Sequence, residues 1–107
     1  MKWYKDMYVG YSLLENKNQI IKDIKAGKTM RDKFLLTLPK NDYDTLEIYP
    51  SNILLQKWFQ KSDDIVVIGV ANGREEAMEL MQLIVNDCIM NTRQLSVKQF
   101  ILEKMGV

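Results

Sequence analysis

Apolar and polar positions alternate from Trp3 to Val9. Trp3, Met7 and Val9 share one side with Lys5 between them, and Tyr4, Asp6 and Tyr8 share the other. A period of two with three aromatics predicts a strand suited to a sheet edge. Gly10 ends it. The period then lengthens. At 100° per residue Leu13, Leu14, Ile20, Ile21 and Ile24 fall within one arc of about 120°. Ser12 with Glu15, and Asn16 with Gln19, have the spacing of capping boxes. Lys17 would interrupt the apolar arc, an anomaly that disappears if Asn16 is the N-cap. Gly27 closes this helix, with Lys25 and Lys28 beside its negative end.

Phe34–Leu38 is a short apolar run halted by Pro39, read as a buried strand. Asn41–Asp44 reads as a turn. Thr45–Tyr49 alternates weakly and reads as a short extra strand or an extended lead-in. Pro50-Ser51-Asn52 opens a helix through Lys61, with Ile53, Leu54, Leu55, Trp58 and Phe59 packed close together. Ile65–Ala71 is apolar on both faces, as a central strand covered by helices on both sides must be. The next helix runs from about Arg74 to Met90. Its apolar residues Ala77, Met78, Leu80, Met81, Ile84, Val85, Cys88 and Ile89 cover about half its circumference, wider than one sheet contact requires. The last helix is the expected cover. Ser96 and Gln99 make its capping box, Val97, Phe100, Ile101 and Met105 its stripe, and Gly106 its stop.

Strands alternating with helices imply an α/β fold with right-handed crossovers. The expected architecture is a single α/β domain over residues 1–107. It has a three- to four-stranded, mostly parallel sheet flanked by about four helices. The sheet becomes mixed if Thr45–Tyr49 pairs antiparallel with Phe34–Leu38.

Composition narrows the class. At 107 residues, 47% hydrophobic and 27% charged, the chain can bury a core of its own. Its longest apolar run is far short of a membrane span, and its first residues lack the apolar region of a signal peptide. The single cysteine, Cys88, excludes an internal disulfide. These features favour a cytoplasmic protein with no membrane partner. The net charge of +1 is unevenly spread: residues 1–33 carry eight Lys/Arg and four Asp/Glu, residues 34–107 seven and ten. Such a split steers an acidic ligand or is simply an uneven solvated surface.

Two stretches carry a resemblance. Lys2-Trp-Tyr-Lys-Asp-Met-Tyr-Val-Gly10 and Val67-Ile-Gly-Val-Ala-Asn-Gly-Arg-Glu-Glu-Ala77 are similar to segments of a family of short, uncharacterised Firmicutes proteins. The resemblance implies a small intracellular bacterial protein. That family has no known activity, so no site residues carry over from it.

At the strand–helix junction, Gly69, Asn72, Gly73 and Arg74 offer a phosphate or nucleotide site on free helix N–H groups. The G-x-x-x-G spacing matches no dinucleotide or P-loop signature, and Glu75 and Glu76 would repel an anion there. The plainer reading is a turn with carboxylates that stabilise the helix start. Lys22, Lys25, Lys28, Arg31 and Lys33 form a basic segment near Tyr4 and Tyr8 in sequence, a candidate nucleic-acid patch, although a near-neutral chain without a recognised motif makes that partner unfavoured. Asp42, Asp44 and Glu47 lack the spacing of a calcium loop. No catalytic residue, metal site or cofactor is expected. The chain has no histidine, and Cys88 sits at the centre of an apolar arc, where a thiol is a small core residue.

An enzyme is therefore the less favoured reading. Seven methionines, with Trp58 and Phe59 on a short helix, supply the soft and aromatic surface that interfaces favour. The expected function is a protein–protein interaction or regulatory module, acting on a protein partner or as a homo-oligomer.

Overall fold

A computed structural model describes residues 1–28, 30–40, 46–92 and 96–106. The expected turn at Asn41–Asp44, and Thr45, lie outside the described residues. Four strands form one sheet: β1 (Lys2–Val9), β2 (Lys33–Thr37), β3 (Glu47–Pro50) and β4 (Val66–Asn72). Their order across the sheet is β1-β4-β2-β3. β4 runs parallel to β1 and antiparallel to β2, and β2 runs antiparallel to β3. The sheet is thus mixed, with one parallel pair, because β2 runs antiparallel to both of its neighbours. Within the expected extra strand Thr45–Tyr49, β3 covers Glu47–Tyr49 and extends to Pro50.

The helices α1 (Lys17–Lys25), α2 (Lys57–Lys61), α3 (Arg74–Thr92) and α4 (Val97–Lys104) cover both faces. On one face Tyr4, Leu36, Ile68, Leu80, Ile84 and Phe100 belong to a core shared with α3 and α4. On the other, Met7, Leu35, Val67, Ile24, Leu54 and Phe59 belong to a second core shared with α1 and α2. β4 is buried between them from Val66 to Ala71, which is why that stretch is apolar throughout. Its alternation contains one break. Ile65 and Val67 face α1, Val66 and Ile68 face α3, yet Val70 again faces α1. The register explains this: one step along β2, Leu36 to Thr37, spans Gly69 to Val67 on β4. A bulge at Gly69 absorbs the extra residue. A Cβ there would lie 3.4 Å from Leu80 and 3.3 Å from the Tyr8 carbonyl, so glycine lets α3 pack closely.

Two expected helices are subdivided. Tyr11–Asn16 is a 3₁₀ helix, and α1 starts after Asn16. Leu13 reaches the core, but Leu14 remains 58% exposed, contrary to its place in the predicted arc. The 3₁₀ pitch separates neighbours that an α-helical wheel puts together. The helix expected to open at Pro50-Ser51-Asn52 and run through Lys61 is split as well. Ser51–Leu55 is 3₁₀, Gln56 is extended at φ −82°, ψ 123°, and α2 follows. The break points Leu54 and Phe59 inward and leaves Leu55 and Trp58 exposed, although the Trp58 ring still meets the Phe59 ring edge-on at 5.8 Å. The Leu54 carbonyl, freed by the break, accepts the Gln60 side-chain amide. At the last helix the predicted cap is present: the Ser96 hydroxyl accepts the Gln99 N–H at 3.2 Å. Val97, Phe100 and Ile101 then cover the wide apolar arc of α3.

Candidate functional site

The parallel pair β1 and β4 ends beside the start of α3. Gly10 follows β1 and donates its N–H to Val70 at 2.9 Å. Gly73 follows β4 with φ +86°, a conformation that glycine adopts without strain, and its carbonyl accepts the Ala77 N–H. Gly73 therefore caps α3. Three residues into the helix, the Glu76 side chain turns inward rather than to solvent. Its carboxylate accepts the Asn72 N–H at 2.6 Å and the Ser12 N–H at 3.1 Å. Only 5% of Glu76 is exposed. Burial raises its pKa, but the N–H donors of Asn72 and Ser12, with the positive charge of Lys33, outweigh burial and hold it below its ordinary value. The chain thus supplies its own anion at the helix start. That carboxylate joins three segments: the end of β4, the 3₁₀ helix and α3.

Beyond Glu76 a groove of about 490 Å³ opens between β1, the 3₁₀ helix and α3. Tyr8, Val9 and Leu80 line its base; Tyr11 and Leu14 flank it on one side, Glu79 and Leu83 on the other. Tyr11 is 71% exposed and Leu83 54%. A shallower hollow continues along α3 past Leu83 and Asp87 to Met90, which is 85% exposed. β1 is an edge strand, so its outer side has no neighbour in the sheet. The base is rigid. The Tyr8 hydroxyl donates to Asp87 at 2.6 Å, and its ring stacks on Tyr4 at 6.2 Å. Burial and that bond to Asp87 push the Tyr8 phenol well above its ordinary range. Burial, with the charges of Asp6 and Asp87, also raises Tyr4.

The polar groups at the base are therefore occupied. Glu76 uses its oxygens on backbone N–H groups and Tyr8 its hydroxyl on Asp87. What remains open is apolar surface rimmed by the charged side chains of Asp6, Glu79 and Lys17.

The sequence-derived candidates fall elsewhere. Gly69 is buried in the β4 bulge beneath α3. Asn72 is exposed, and its side-chain carbonyl accepts from Lys33 at 2.9 Å. Gly73 donates its N–H to the Asp32 carbonyl, and the Arg74 guanidinium lies 5.6 Å from the Phe34 ring centre. The structure thus joins Lys33 to the junction residue Asn72. It leaves Lys22 and Lys25 on α1, across the sheet. Lys28 pairs with Asp23 at 3.6 Å, and Arg31 is exposed before β2. Asp42 and Asp44 lie outside the described residues, and among the described residues no group of three or more His, Cys, Asp or Glu side chains could hold a metal. No described helix is long and apolar enough to cross a membrane.

Sequence reasoning passed over Tyr11, Leu14, Leu83 and the inward Glu76. One signal was present: Leu83 is an apolar residue on the polar side of α3, between Glu79 and Asn86. The chain matches no protein-family model, no curated protein and no solved structure.

Proposed function

We propose that this chain is a protein-interaction module whose docking face is the groove between β1 and α3, and that its occupant is a short segment of another protein. One observation carries the reading. Tyr11, Leu14 and Leu83 stand exposed around an apolar groove at whose base Glu76 and Tyr8 are already bonded within the fold. Covering apolar area contributes about 25 cal/mol per Å², and leucines held on rigid elements give that up at little entropic cost. The phosphate and nucleic-acid readings have less support, since the helix start holds its own carboxylate and the basic segment is divided between α1 and the approach to β2.

The test is site-specific photo-crosslinking in cells. A photoreactive residue at position 83 is expected to give one discrete adduct, mapping to a single segment of the captured protein. That adduct should vanish with Leu14→Asp and be absent when the probe is moved to Lys25. Absence of an adduct at 83, or an adduct indifferent to Leu14→Asp, would overturn the reading.

A further inference from the structure

We infer that the segment docking in this groove is a basic amphipathic helix, an inference that rests on the docking reading above. The first argument is charge. The groove and the hollow that continues it are lined by the carboxylates of Asp6, Glu76, Glu79 and Asp87 against a single ammonium, Lys17. Glu76 and Asp87 are engaged within the fold. Asp6 and Glu79 are exposed and make no ion pair among the described residues. One stands on β1 and the other on α3, so a partner with cations beside its apolar stripe meets a carboxylate from each element. An acidic partner would meet the same charge on both.

The second argument is shape. An extended peptide would add to the free edge of β1, but that edge is irregular. Trp3 pairs with Val67 and Tyr8 with Gly69, so five steps on β1 match two on β4. The surplus sits around Lys5 and Asp6, both exposed. A bulge with charges at its centre blunts an edge against strand addition. It also disfavours a second copy: antiparallel self-pairing about the middle of β1 sets Lys5 against Lys5, or Asp6 against Asp6. The apolar track on α3 runs instead from Leu83 to Met90, seven residues apart. That is two helical turns, about 10 Å, the repeat of an i, i+7 stripe on a docked helix.

The test uses two synthetic 14-residue amphipathic helices, one with Leu and Lys and the other with Leu and Glu, read by fluorescence anisotropy at low salt. The Lys peptide is expected to bind, and to weaken about fivefold or more with Asp6→Asn/Glu79→Gln and with rising salt. Leu83→Ser should weaken it too, and the Glu peptide should not bind. Equal binding of both peptides, or no effect of the Asp6/Glu79 pair, overturns the charge inference; if Leu83→Ser still weakens binding, the docking reading survives. Failure of the Lys peptide while the position 83 crosslink persists overturns the basic helix alone. Loss of both overturns both. Sedimentation of the intact protein as a dimer that Leu83→Ser dissociates makes a second copy the occupant and overturns the inference.

Discussion

Gly10 lies so close to Glu76 that no side chain fits at position 10. A Cβ built on Gly10 would overlap the Glu76 carboxyl group. The conformation of Gly10 is ordinary, at φ −61° and ψ 153°, so the requirement is for space alone. Gly10→Ala must displace a buried carboxylate from two N–H donors or shift the end of β1. Overpacking of this kind costs about 1–3 kcal/mol. Urea unfolding should show a loss in that range. An unchanged midpoint would mean that the carboxylate moves aside freely.

The same carboxylate makes stability depend on acid. The folded pKa of Glu76 lies below its ordinary value of 4.5. The unfolded chain therefore binds this proton first as pH falls. The contribution is complete above the ordinary carboxylate range and is lost as pH drops through the lower folded value. Glu76→Gln should be less stable than the parent near neutral pH, and the gap should shrink on acidification. A gap constant from neutral pH down to about pH 3 would contradict the inward, bonded Glu76.

At alkaline pH the sign reverses. Burial and the 2.5 Å hydrogen bond to Glu47 push the Tyr49 phenol up to about 12, from 10.0. The folded state keeps a proton that the unfolded state releases. This stabilisation is present below about pH 10 and is lost as pH rises through about 12. Tyr8, raised by burial and Asp87, adds in the same direction. Unfolding midpoints should fall across that window, and Tyr49→Phe should flatten the fall. An identical slope in the variant would remove Tyr49 as its source.

Cys88 lies fully buried under α4, with its thiol directed to the Ser96 carbonyl at 3.6 Å. Labelling by a thiol reagent should therefore follow unfolding or opening of α4. The rate should rise with urea, and Ser96→Ala, which removes the α4 cap, should quicken it in native buffer. Rapid labelling of the intact protein would mean that α3 exposes this face.

Much of this fold is legible in the residues because its signals are local. The alternation of Trp3–Val9, the apolar run of β4 and the Ser96 cap each work within a few positions. The breaks are not local. Gln56 is extended because Leu54 and Phe59 both have core partners to reach, and no helical wheel contains those partners. The groove was hidden for the same reason. Ser12 meets Glu76 across 64 residues of sequence, and Tyr8 meets Asp87 across 79. Glu75 and Glu76 look alike in sequence, as two carboxylates on a first turn. Only the arrival of the 3₁₀ helix turns one of them into a buried clamp.

The turn Asn72-Gly73 offers the last prediction. Gly73 has φ +86°, and nothing lies within 4 Å of where its Cβ would be. Gly73→Ala should therefore cost only backbone strain, about 1 kcal/mol. Its N–H already donates to Asp32, itself at φ +64°, and the N–H of Asn72 is held by Glu76. An added anion would compete with that carboxylate for the helix start and meet the charge of Glu75 beside it. Inorganic phosphate should leave the melting temperature of the parent and of Arg74→Ala unchanged. A bound anion at about 100 times its Kd would instead add about 2.7 kcal/mol, readily seen as a thermal shift. A shift that Arg74→Ala abolishes would make this turn an anion site, with Glu76 displaced from it.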